Sequence, residues 1–110
     1  MYDNRKIGEN PSIKYYNAGG KDMVRVPYEI KEISPGVYSW REISVKHMDF
    51  NYNGLVSALI GLKYSDANMT AIINNYLLDS NDEDYTKEFN EMQEYRKYAK
   101  HLAKQILGNN

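Results

Sequence analysis

Residues 23–48, MVRVPYEIKEISPGVYSWREISVKHM, alternate apolar and polar from their first positions. Val24, Val26, Tyr28 and Ile30 fall on one side, and Arg25, Pro27, Glu29 and Lys31 on the other, the period of a strand with one buried face. Pro27 lacks an N–H, which predicts a sheet edge or an outward-turned position. Ser34-Pro35-Gly36-Val37 then reads as a turn, because Pro35 presets φ for the first central residue and Gly36 tolerates a positive φ at the second. The return strand is expected from Val37 to about Met48. It does not alternate cleanly: Tyr38 and Trp40 share a face, while Ile43 and Val45 take the opposite one. A bulge near Arg41–Glu42 would bring all four to the core side; a strand covered on both faces is the alternative. Either way the unit is a hairpin, which is marginal in water until something covers it.

The cover comes from downstream. Gly54 to Lys63 places Leu55, Val56, Leu59, Ile60 and Leu62 around most of a helix, so burial on several sides is expected. Ser65 is a good N-cap for a second helix, 65–77, with Asp66 in its first turn and Met69, Ile72, Ile73, Tyr76 and Leu77 recurring at three and four. A third begins near Asp82–Asp84 and runs to Leu107, with Gly108 as its stop. Its apolar stripe is Tyr85, Phe89, Met92, Tyr95, Ala99, Leu102, Ala103 and Ile106. Acids crowd its front half and Arg96, Lys97, Lys100 and Lys104 its back half, which complements the helix dipole at both ends. About 24 residues span roughly 36 Å, longer than a globule of this size needs, so part of the helix should project or meet another copy.

These elements predict an α+β fold: a β-hairpin over 23–48 packed on short helices 54–63 and 65–77, with a long C-terminal helix over 83–107. Trp40, Ile43, Val45, Leu55, Leu59, Ile60, Ile72, Ile73, Phe89 and Leu102 are the expected core. Residues 1–22, with Asn4, Gly8, Asn10, Pro11, Asn17, Gly19 and Gly20, show no sustained period and read as a flexible N-terminal arm ending in a hinge at Ala18-Gly19-Gly20. An edge strand around Ile13–Asn17 is the alternative. Residues 23–110 form the single domain, since 110 residues suffice for one and not two.

Composition narrows function. With 14 basic and 15 acidic residues the net charge is −1, so no global field selects a polyanion or a membrane. Zero Cys excludes disulfide frameworks, thiolate nucleophiles and Cys-ligated metals. The expectation is a chain without a membrane span or secretory leader. His47 and Asp49, one residue apart on the return strand, are the only local pair with metal-ligand character, and two ligands do not make a site; no metal, cofactor or small-molecule substrate is expected. His101, flanked by Lys100 and Lys104, belongs to the cationic end of the last helix. Carboxylates cluster only between Asp79 and Glu94, on a solvated helix start rather than in a cleft where acid–base work needs them. No catalytic residue is assigned and the chain is not expected to be an enzyme.

Two binding classes remain. The pair 54–63 and 65–77 invites comparison with a helix-turn-helix, yet the second helix offers Asn68, Thr70, Asn74 and Asn75 without one Lys or Arg for phosphates. Tyr15, Tyr16, Tyr28 and Tyr38 with Lys14, Lys21 and Arg25 could stack single-stranded bases, against the interleaved Asp22, Glu29 and Glu32. Nucleic-acid binding is therefore the alternative reading. Eleven Tyr, an almost neutral chain, a mobile N-terminal arm and an overlong amphipathic helix favour protein–protein assembly with self-association. Its candidate contacts are Tyr28, Tyr38 and Trp40 on the hairpin, and Tyr95, Tyr98 and Leu102 on the last helix.

Tyr38-Ser39-Trp40-Arg41-Glu42-Ile43, Leu55-Val56-Ser57-Ala58-Leu59-Ile60, Tyr64-Ser65-Asp66 and Ala71-Ile72-Ile73-Asn74-Asn75-Tyr76-Leu77-Leu78 stand in this order. Over about residues 37–107 the chain resembles small uncharacterised proteins encoded by phages and prophages of anaerobic gut bacteria, often near tail or other structural genes. Glu91-Met92-Gln93-Glu94-Tyr95-Arg96-Lys97, ahead of Ala99 and Ala103, is similar to the terminal helix of that group. The resemblance implies a virion-associated or assembly role and supplies no catalytic or ligand residues.

Overall fold

A computed structural model describes residues 5–108. The hairpin is formed by β3 (Lys21–Ser34) and β4 (Val37–Lys46), joined through Pro35 and Gly36, with Gly36 at φ 78° as the turn requires. It does not stand alone. Strands β1 (Lys6–Gly8) and β2 (Lys14–Ala18) flank it in a four-stranded antiparallel sheet of order β1-β4-β3-β2. The arm expected over 1–22 is corrected accordingly: its residues 6–8 and 14–18 are sheet members, and Ile13 packs against the core. Residues 1–4 of that arm, and 109–110 at the end of the expected domain, lie outside the described residues. The supposed hinge is a two-residue hairpin turn. Ala18 pairs with Lys21, and Gly19 and Gly20 between them hold φ of 59° and 81°, the primed-turn geometry that matches strand twist and that glycine adopts without penalty.

Pro27 was expected at an edge, and β3 is an interior strand. The pairing with β2 stops at Lys14↔Arg25, two residues earlier, so at Pro27 only β4 remains as a neighbour. An interior strand thus has a local edge where the proline sits. The irregularity expected on β4 lies instead on β3: Tyr28 pairs with Arg41 and Lys31 with Ser39, so Glu29 and Ile30 together oppose Trp40. With the bulge on its partner, β4 keeps strict alternation. Ser39, Ile43 and Val45 are buried, and Tyr38 and Trp40 face away from the core, half-buried. Trp40 is therefore not a core residue; its ring lies across Gly8, 3.4 Å from where a side chain would begin.

After Lys46 the chain leaves the sheet in a 3-10 turn, His47–Asp49, and enters α1 (Tyr52–Gly61) two residues before the expected start, capped by Asn51, whose side chain accepts from the Gly54 N–H at 2.8 Å. Helix α2 (Asp66–Leu78) has the predicted Ser65 cap, completed by Asn68 as a capping box. Helix α3 (Glu83–Gly108) starts on Asp82, which accepts from Asp84 and Tyr85 N–H groups. The core joins Val24, Val26, Tyr28, Ile43 and Val45 of the sheet to Leu55, Leu59 and Ile60 of α1 and Ala99, Leu102 and Ala103 of α3. Helix α2 was expected to cover the hairpin; it packs on α3 instead, with Tyr76 stacked on Phe89 at 4.1 Å. Ile72, Ile73 and Phe89 are consequently half-buried rather than central, and α2 buries no residue fully. The molecule is elongated, with a radius of gyration of 16.7 Å against about 13 Å for a compact chain of this length. Among the described residues no helix is long and apolar enough to cross a membrane.

Gly54 and Gly61 give opposite expectations. A Cβ on Gly54 would lie 1.9 Å from the Asp49 carbonyl oxygen, while one on Gly61 meets nothing within 4 Å. Gly54→Ala should destabilise by about 1–3 kcal/mol or prevent folding, and Gly61→Ala should stabilise by up to about 1 kcal/mol. Urea unfolding followed by circular dichroism checks both.

Candidate functional site

The bulge puts Glu29, a residue with a side chain, at φ 51°, a left-handed conformation that costs an L-residue roughly 1–2 kcal/mol. Strain of this kind persists where surrounding groups over-determine it, and here they are countable. Arg5, just before β1, donates to the Glu29 carbonyl, to Ser39 Oγ at 3.1 Å and to the Ser39 carbonyl at 3.0 Å. Arg41 on β4 donates through Nε to Glu29 Oε1 at 2.8 Å. Tyr98 on α3 donates its phenol hydrogen to Glu29 Oε2. One carboxylate and its own backbone thereby tie together the N-terminal strand, both hairpin strands and the long helix.

Beside this cluster a cavity of about 330 Å³ opens between Glu29 and Arg41 on the sheet and Leu62, Tyr95 and Tyr98 on the helices. Tyr95 donates to the Leu59 carbonyl at 2.9 Å, near the α1 C-terminus, where helical carbonyls need outside partners. Burial, and behind it the negative charge of Glu29, raises the phenols of Tyr28 and Tyr95 above their ordinary value. Burial first, then the hydrogen bond to Glu29 and its charge, pushes Tyr98 up to about 12, although 42% of that residue remains exposed. The arrangement holds neutral phenols against a carboxylate paired with guanidinium groups, a clamp across segments distant in sequence.

The six contact candidates separate. Tyr28, at 9% exposure, and Leu102, at 6%, belong to the core and are corrected as exposed contacts; what remains accessible of them lines the same cavity as Tyr95 and Tyr98. Tyr95 and Tyr98 line the cavity from α3, and Tyr38 and Trp40 lie on the opposite face of the sheet. The hairpin aromatics are thus not one surface, because β3 and β4 pair so that Tyr28 shares a face with Arg41, not with Trp40. His47 and Asp49 sit exposed on the 3-10 turn rather than on a strand, with His47 5.6 Å from the ring of Tyr15. Among the described residues no three His, Asp or Glu side chains gather as metal ligands. Glu29, Arg5 and Arg41 were not singled out beforehand. Alternation assigned Glu29 to the outward side, and nothing local marks a bulge there.

In comparisons with protein-family models, with curated proteins and with solved structures, nothing matches this chain. Its surfaces are interpreted from their own chemistry.

The Tyr98 bond sets an alkaline limit. A phenol whose folded value lies above its unfolded value near 10 contributes stability that is fully present below pH 10 and is lost as pH rises through about 12. Unfolding free energy should fall between pH 10 and 12, and Tyr98→Phe should remove part of that fall; urea titrations at stepped pH, with phenolate absorbance at each step, measure it. Arg5→Ala, which deletes three hydrogen bonds at the bulge, should cost about 1–3 kcal/mol at neutral pH in the same assay.

Proposed function

We propose that this chain is a non-enzymatic protein–protein assembly module that self-associates, and that, as its resemblance to phage and prophage proteins implies, it serves a virion or its assembly in the host cytoplasm. The observation that carries this reading is the distal end of the sheet. The helices reach β3 and β4 as far as Glu29 and Arg41, where Tyr98 meets the sheet, and every residue from Ile30 to Gly36 is exposed. Strand β1 pairs with this outlying part, making a three-stranded tongue. On it Ile7 is 68% exposed, Ile33 48% and Ile30 45%. Isoleucine is among the residues most often fully buried, and several on one projecting element mark a contact surface rather than scattered exposure.

Leu77 and Leu78 at the end of α2 add a second exposed apolar point at 74% and 80%. A standard interface buries about 800 Å² per partner, roughly a tenth of the 7785 Å² this chain exposes.

Sedimentation equilibrium tests this reading. The weight-average mass should exceed 12.8 kDa and rise with loading concentration. Ile7→Glu combined with Ile33→Glu should return it to the monomer value with an unchanged circular dichroism spectrum, since both side chains are already outside the core. A mass that stays at the monomer value for the wild-type chain at every concentration would overturn the proposal.

A further inference from the structure

The helices all lie on one side of the sheet, and the other side has a chemistry of its own. Strand register places Lys6, Lys14, Lys21, Arg25 and Lys46 on that helix-free face, spread over all four strands. Three aromatic rings share it: Tyr16 on β2, and Tyr38 and Trp40 on β4. Among the described residues its acids are Glu42, which is already paired with Lys6 and Arg25 at 3.6 Å each, and Glu32 near the tip. A chain of net charge −1 therefore carries a local excess of positive charge on one flat surface.

Of the acids that argue against nucleic-acid binding in the linear sequence, Glu29 is elsewhere in the fold, and Asp22 stands at the rim beside Lys21, Lys46 and Tyr16. Asp22 takes the opposite parity and accepts from Asn17 at 3.1 Å, and Glu29 is drawn to Arg41 and Tyr98 on the helix side. Edge lysines alone would be explained as protection against strand pairing, but Arg25 is paired on both sides, with Lys14 on β2 and Ser44 on β4. The rings are prepared for stacking. The Arg25 guanidinium lies 4.7 Å from the centroid of Tyr16, and the indole N–H of Trp40 is fixed on Glu42 at 3.4 Å, with one end of the ring over Gly8.

We propose that the helix-free face of this sheet binds single-stranded nucleic acid, its bases stacking on Tyr16 and Trp40 and its phosphates taken by Lys14, Arg25 and Lys46. Bases stack on aromatic side chains without regard to sequence, and a cationic groove follows the backbone. The site shares Trp40 with the contacts first expected for assembly but none of the tongue's exposed isoleucines, on which the assembly reading rests.

Trp40 is the chain's one tryptophan, so its fluorescence reports this face alone. Titration with oligo(dT) and oligo(rU) at low salt should quench it and raise the anisotropy of a labelled oligonucleotide. For three neutralised phosphates, raising salt from about 50 to about 200 mM should weaken binding about 20-fold. Lys14→Gln and Lys46→Gln, changes at exposed positions, should each weaken binding and lower the salt slope by roughly 0.7. Tyr16→Leu should cost about tenfold or more, and Lys97→Gln on α3 should change nothing. Absence of quenching and of anisotropy change at low salt would overturn the proposal. So would equal binding of polyglutamate, which would assign the face to an acidic protein, or binding of duplex DNA as tight as single strands with Trp40 unquenched.

Discussion

A two-stranded ribbon with one apolar face has to be covered, and in this protein everything else is arranged by that need. Val24, Val26, Ile43 and Val45 are sealed by α1 and the C-terminal half of α3, and removing that seal would leave a hairpin with little stability of its own. The cover is shorter than the ribbon. Helices α1 and α3 protect one half, so the other half projects, and β1 widens the projection instead of a helix shielding it. The elongation of the molecule and its exposed isoleucines follow from this mismatch of lengths.

The Glu29 bulge sits where cover gives way to projection. Below it side chains alternate into an apolar core; at it the same face turns polar, with Arg5, Arg41, Ser39 and the phenols of α3 replacing aliphatic contacts. A strand that leaves its core carries unpaired polar backbone and a register that can slip. Pinning both the carbonyl and the carboxylate of the extra residue fixes register at the point where hydrophobic burial no longer specifies it. That is a sufficient physical reason for a strained φ at a non-glycine residue.

Strand parity also sorts charge. The acids and bases of residues 14–46 are interleaved along the chain, but alternation and one bulge send Glu29 to one side and most of the cations to the other. Net charge computed over the chain conceals this, because the two faces cancel. Aromatic content behaves the same way: Tyr28 is core, Tyr95 and Tyr98 are cavity walls, and Tyr16, Tyr38 and Trp40 belong to the open face.

The local signals were legible in the amino-acid order: the period of two over residues 23–28, the Pro35-Gly36 turn, the Ser65 cap, and the acid-to-base order along α3. Each depends on residues within a few positions of one another, so composition and spacing suffice to determine it. What the tertiary structure decided depends on distant partners. Arg5 meets Ser39 across 34 positions and Tyr98 meets Glu29 across 69. The recruitment of residues 6–8 and 14–18 as strands, the choice of β3 rather than β4 for the bulge, and the docking of α2 on α3 are settled by such pairings. A short polar segment carries no period of its own, so it becomes a strand only when an existing edge offers hydrogen bonds. A bulge falls on whichever strand finds side chains that can hold its extra residue, here Glu29 between two arginines and a tyrosine.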